Sequence, residues 1–119
     1  MAGKLSTHAL DTLQGIPAAG MNVHLERLTP EPAYLCTTQL NADGRAILIE
    51  GAPPPGVYQL TFHVGEYYRT TTAAPALELI ASPAFLDEVV VRFGISAASS
   101  SYHVPLVFSP HAYSTYRGS

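Results

Sequence analysis

Five histidines are the side chains of this sequence that titrate near neutral pH, and two of them sit where their neighbours do not explain them. His8 falls in Leu5-Ser-Thr-His-Ala-Leu10 and His103 in Tyr102-His-Val-Pro-Leu106. Both runs consist of small, hydroxylated or apolar residues that have no need of a base. A neutral imidazole there can take a proton from water or return one, which is the chemistry of a general acid–base catalyst. The other three read as surface. His24 lies on the polar face of its strand, His63 opposite a clean apolar face, and His111 in a turn. Arg45 directly follows the Asn41-Ala-Asp-Gly44 turn, a position where an arginine normally meets solvent.

The last seventeen residues, His103 to Ser119, read HVPLVFSPHAYSTYRGS. Chain ends commonly fray in small polar residues. This one alternates apolar and polar residues, turns at Ser109-Pro110 and continues as a polar-aromatic strand carrying Tyr116, Arg117, Gly118 and Ser119. If the turn centres near Pro110, residues whose numbers sum to about 220 face each other across the hairpin. His103 is then opposite Tyr116 to Arg117, to within a residue, and shares one site with the end of the chain.

Other chemistries find no support. Gly51 and Gly56 flank a proline run with no Lys-Ser/Thr after it, so no phosphate-cradling loop is expected. There is no His-Glu-x-x-His or paired-cysteine motif, so the spacing indicates no metal and no cofactor. Cys36 sits mid-strand beside threonines, a poor setting for a nucleophile. The carboxylates show no pair suited to glycoside chemistry.

The elements that must position these residues are strands. Leu5–Leu10 divides into Leu5, Thr7, Ala9 on one face and Ser6, His8, Leu10 on the other. Met21–Leu28 and Val57–Val64 alternate in the same way, the second most clearly. Ala33–Gln39, Ala46–Ile49 and Phe85–Phe93 read as further strands, followed by the closing pair. Gly65 to Thr72 has the composition of one or two helical turns, and Ala76 to Ala81 has no clear pattern. About eight short strands separated by Gly/Pro turns, with at most one short helix, define an all-β sandwich or barrel.

Composition sets the remaining bounds. The 119 residues fit one domain, residues 1–119. One cysteine allows no internal disulfide, and a formal net charge of −3 argues against nucleic acid. Charged residues are 13% of the chain, against roughly 25% in a typical globular domain. With 47% hydrophobic residues, that points to a surface partly covered by other subunits, or to a compact sandwich with a Ser/Thr surface. Met1 to Thr7 hold no apolar run of signal-peptide length, and no stretch approaches a membrane span. The expected address is the cytoplasm, with no membrane partner.

From one end to the other the chain resembles the transthyretin-like family, and within it the 5-hydroxyisourate hydrolases. The resemblance is carried by Leu5-Ser-Thr-His8-Ala-Leu-Asp11, Gly15-Ile-Pro-Ala18, Asp43-Gly-Arg45, Gly56-Val-Tyr58, Arg92-Phe-Gly94 and Tyr102-His-Val-Pro-Leu106. Its strongest part is Ser109-Pro110 with Tyr113-Ser-Thr-Tyr-Arg-Gly-Ser119. Ser101 stands where members often have a histidine, and His111 where they often have an aromatic.

The resemblance implies a transthyretin-like (prealbumin-like) β-sandwich assembled as a homotetramer, a dimer of dimers with channels between subunits. It implies hydrolysis of 5-hydroxyisourate, a urate-oxidation product, to 2-oxo-4-hydroxy-4-carboxy-5-ureidoimidazoline. It places His8, Arg45 and His103 in the site with Tyr116 to Ser119. On this reading His8 and His103 share the base and relay roles, and Arg45 holds the substrate and its developing negative charge. Tyr116, Arg117 and Gly118 bind substrate, and Ser119, through its hydroxyl or the terminal carboxylate, orients a histidine. No metal or cofactor is implied. The alternatives are a non-enzymatic small-ligand carrier of the same fold, like transthyretin, which lacks the two histidines, and a structural β-sandwich module.

Overall fold

Alternation of apolar and polar residues turns into two facing sheets. The computed structural model describes residues 3–71, 81–96 and 100–118. Among them are strands β1 (Lys4–Asp11), β2 (Ile16–Pro17), β3 (Asn22–Thr29), β4 (Ala33–Gln39), β5 (Arg45–Glu50), β6 (Gly56–Phe62), β7 (Val89–Ile95), β8 (Tyr102–Phe108) and β9 (Tyr113–Thr115), with helix α1 (Val64–Thr71). One sheet runs β2-β1-β8-β9, with β5 also on β1; the other runs β4-β3-β6-β7. All pairings are antiparallel except β1 with β8.

The inward faces follow period two. Leu5, Ala9, Leu25, Leu60, Phe62 and Leu106 are fully buried. Complete burial of a Leu or Phe side chain contributes about 1.5–3 kcal/mol each, so this shared interior is what holds the sheets together. Helix α1 buries Val64, Tyr67 and Tyr68, an i, i+3, i+4 stripe. The two tyrosine hydroxyls donate to Asp11 at 2.9 and 2.7 Å. Asp11 is itself fully buried and accepts from the backbone of Leu13 and Gln14 and from the Gln14 side chain. One carboxylate therefore ties the end of β1, the turn after it and the helix together. Burial first, and Asp11 second, push the Tyr68 hydroxyl well above its ordinary pKa, so it stays a donor.

Three details differ from the pattern reading. The strand expected over Phe85–Phe93 begins at Val89. The preceding residues are held by the helix instead: the Asp87 carbonyl accepts from Gly65 N, and its carboxylate faces Arg69 at 3.4 Å. Phe85 is left 75% exposed. β2 is a two-residue edge pairing of Ile16 and Pro17 with the end of β1, on an edge where proline's missing donor does no harm. Val64, expected to close β6, starts α1. The segment Ala76 to Ala81 lies, apart from its last residue, outside the described residues.

Two features of the fold place the site. The parallel β1–β8 pairing sets Ser6 beside His103 and His8 beside Pro105. The turn before β5 lets that strand reach β1. Asn41 Oδ1 accepts from the backbone of Asp43 and Arg45, and Gly44 has φ +70°. A Cβ at Gly44 would stand 2.7 Å from the Ala9 carbonyl oxygen, so only glycine permits this approach. The reward is the pairing of Arg45 with His8.

Candidate active site

Three adjacent strands, β5, β1 and β8, present their outward side chains to one open cleft of about 380 Å³, near the lower end of the range for small-molecule sites. Its lining includes Lys4 and Ser6 from β1, Arg45 and Ile47 from β5, and Ser101 and His103. His8 lies on the same face of β1, two residues from Ser6 and paired with Arg45, beside the lining rather than in it.

His103 is fixed on two sides. Its Nδ1 is 2.8 Å from Ser6 Oγ. Gly118 pairs with it across the β8–β9 hairpin, Gly118 N donating to the His103 carbonyl at 2.7 Å. A Cβ at Gly118 would lie 2.6 Å from His103 Cδ2, so any side chain at 118 would displace the ring. The expected facing residues were Tyr116 to Arg117. The four-residue turn, closed by Ser109 N to the Ala112 carbonyl at 2.8 Å, centres between Pro110 and His111 and moves the partner to Gly118.

Electrostatics keep both histidines neutral. Burial lowers the pKa of His103 most, followed by the cation of Arg45, then by His8 and Lys4. Burial and Arg45 also lower His8, opposed by its hydrogen bond to the Asp43 backbone carbonyl and by the Asp43 charge. Among the described residues neither histidine has a carboxylate within ion-pair distance, and the Arg45 guanidinium makes no ion pair. The cleft therefore offers the His103 imidazole beside a forked cation, with the second imidazole, His8, next to the lining and paired with Arg45. That set can deprotonate water and receive negative charge on an oxygen.

The other sequence candidates lie elsewhere. Arg117 points to the opposite side of the hairpin, its guanidinium 4.0 Å from the Tyr102 ring centre and 3.4 Å from the Ser101 carbonyl. Tyr116, 60% exposed, borders a second cleft of about 320 Å³ together with Arg117, Tyr102 and Phe93. Ser119 lies outside the described residues. His24 rests between Thr37 and Glu26, His63 faces Glu88 at 3.5 Å, and His111 lies near the Phe85 ring. Cys36 is half-buried and its thiol pKa is raised by burial, which makes it unreactive. Among the described residues no three His, Cys, Asp or Glu side chains form a metal-holding group.

The match to known proteins covers nearly the whole chain. The HIUase/Transthyretin family model matches residues 5–118. The chain belongs to this family. Among its relatives, the 5-hydroxyisourate hydrolase of Pseudomonas aeruginosa is 48% identical over 121 residues, 98% of this chain and 92% of that protein. A solved (S)-allantoin synthase matches with a TM-score of 0.89 at 38% identity over 99% of this chain. The chain spans 44% of that synthase's length. Klebsiella pneumoniae 5-hydroxyisourate hydrolase matches at 0.77 with 32% identity, over 98% of this chain and 99% of that one.

Within this HIUase/transthyretin fold, Ser6 and Lys4 are among the cleft residues that the sequence does not single out as site candidates. The alternation already sets Ser6 on the face of His8, and it extends to Lys4, but neither reads as part of a site. What was missing was the knowledge that β8 lies beside that face.

Proposed function

We propose that this chain hydrolyses 5-hydroxyisourate to 2-oxo-4-hydroxy-4-carboxy-5-ureidoimidazoline. The observation that carries the reading is that His8, Arg45 and His103 share one sheet face, His8 paired with Arg45 and His103 lining the cleft with Arg45; burial and the Arg45 cation lower the pKa of both imidazoles. A ligand carrier needs no such pair of bases, and the named relatives point the same way.

In the proposed reaction His103, which lines the cleft, takes a proton from water. The water oxygen adds to the ring amide carbonyl. Arg45 receives the developing oxyanion in its fork. The carbon–nitrogen bond then breaks, the nitrogen takes up a proton relayed through the imidazoles, and the new carboxyl group ionises. His8, coupled to Arg45 and His103, serves the relay. Gly118 sets the His103 ring. Tyr116 and Arg117 border the other cleft within one chain, so in this proposal they reach substrate across an assembled interface. Ser119 orients a histidine.

The proposed assembly is a homotetramer, a dimer of dimers. Its support is that β7 and β9 each pair on one side only among the described residues, and that Ile47 at the cleft is 51% exposed. The single-domain reading of residues 1–119 is supported by the family match over 5–118. No helix among the described residues is long and apolar enough to cross a membrane, and the free thiol of Cys36 suits the reducing cytoplasm proposed as its compartment.

The test is to generate 5-hydroxyisourate from urate with urate oxidase and follow its ultraviolet decay. The expected result is a decay rate that rises in proportion to added protein. A rate equal to spontaneous decay at micromolar protein would refute the assignment.

A further inference from the structure

We propose that Ser6 is a positioning residue for His103: its hydroxyl accepts the Nδ1 proton and so holds the neutral tautomer whose Nε2 is free to take a proton. The inference rests on the reading of His103 as the base in 5-hydroxyisourate hydrolysis.

The geometry is specific. Ser6 and His103 are register partners on parallel strands, 97 positions apart in sequence. The Oγ–Nδ1 distance is 2.8 Å, normal for a good hydrogen bond. Gly118 closes the Cδ2 side of the ring. With Nδ1 engaged, Nε2 is the nitrogen left for chemistry. The fold does not require this bond. Ser6 is half-buried on the outward face of β1, where water could serve its hydroxyl, and the strand is already paired along both edges.

The chemical type of the residue also fits. Behind most catalytic histidines stands a carboxylate, which orients the ring and stabilises its cation, raising its pKa. Ser6 orients without adding charge. The charged and titratable groups around His103 are Lys4 and His8 from β1 and Arg45 from β5; Arg117, on the hairpin side, is turned away over Tyr102. All that face it are cationic or neutral. A neutral acceptor in that setting leaves the imidazole unprotonated at neutral pH, ready to act as a base rather than resting as its conjugate acid.

Three variants of the assembled protein test this, with steady-state hydrolysis of 5-hydroxyisourate measured across pH beside the wild type. Ser6→Ala is expected to lower kcat about tenfold, the effect of one lost hydrogen bond, with KM within about twofold. Ser6→Thr, which keeps a hydroxyl, is expected to stay within about twofold of wild type. Ser6→Asp is expected to move the acid limb of kcat/KM upward by about one pH unit, because a carboxylate stabilises the imidazolium. A merely structural serine would leave both kcat and the His103 tautomer unchanged when Ser6→Ala removes only its hydroxyl. Independently of activity, 15N spectra of histidine-labelled wild type are expected to show His103 with its proton on Nδ1, and those of Ser6→Ala a mixture of tautomers. A full-rate Ser6→Ala, an unmoved limb in Ser6→Asp, or a wild-type proton on Nε2 would each overturn the role of Ser6 while leaving the hydrolase intact. A wild type that does not hydrolyse 5-hydroxyisourate overturns the functional reading itself, and with it this one.

Discussion

Replacing His103 with asparagine is expected to lower kcat for 5-hydroxyisourate by about 10²–10⁴-fold, the usual contribution of a general base. The substitution is chosen because it leaves the surroundings intact. Asparagine is smaller than histidine, so it does not crowd Gly118, whose backbone lies against the native ring. Its side-chain amide can still meet the Ser6 hydroxyl, and the backbone bond from Gly118 N to residue 103 is unaffected. What it removes is a group able to hold a proton near neutral pH. KM should change little, because the loss falls on the step in which water is deprotonated. Steady-state kinetics on protein shown to keep its assembly by size-exclusion chromatography checks this. A wild-type rate would remove His103 from the role of base and shift it to His8.

Arg45→Lys carries the second large effect. Lysine keeps the positive charge and leaves the Gly44 turn untouched, but a single ammonium cannot make the paired, planar contacts of a guanidinium. Hydrogen bonds to charged groups contribute about 1.5–3 kcal/mol, so kcat/KM is expected to fall roughly 10- to 100-fold. The same variant separates two duties of Arg45. Its charge is the second-largest cause, after burial, lowering both histidine pKa values. Lysine retains that charge, so the acid limb of the pH profile stays where it is while the rate falls. Arg45→Met removes the charge as well, and the limb is expected to rise because a cation that disfavoured imidazolium is gone. If Arg45→Lys stays within about threefold of wild type, the forked contact is not part of catalysis.

The sandwich was legible because period two is local. Leu5, Thr7 and Ala9 against Ser6 and His8 already separate interior from exterior, and the buried set confirms the division. His8 and His103 stood out for the same reason, as bases in runs that had no other use for them. What could not be read was long-range pairing. Nothing near Ser6 in sequence announces that β8 will lie parallel to it, and the cleft exists because it does. Register was legible only to within a residue: moving the turn centre past Pro110 exchanged Arg117 for Gly118 at His103. Since neighbours on a strand face opposite sides, that single step put the guanidinium over Tyr102 and the glycine against the imidazole. The late start of β7 had a tertiary cause, the hold of α1 on Asp87, which no strand propensity anticipates.

The most direct test of water activation by a neutral histidine is the pH dependence of wild-type kcat/KM for 5-hydroxyisourate. Burial and Arg45 lower the pKa of His103 and His8, so the reactive, unprotonated form persists below the ordinary imidazole value of about 6.5. The rate is expected to be level through neutral pH and to fall only as acid titrates the histidines, with a midpoint below that value. A rate that climbs as the pH drops, or an acid midpoint above pH of about 7, would mean that the working form is imidazolium and would contradict the mechanism.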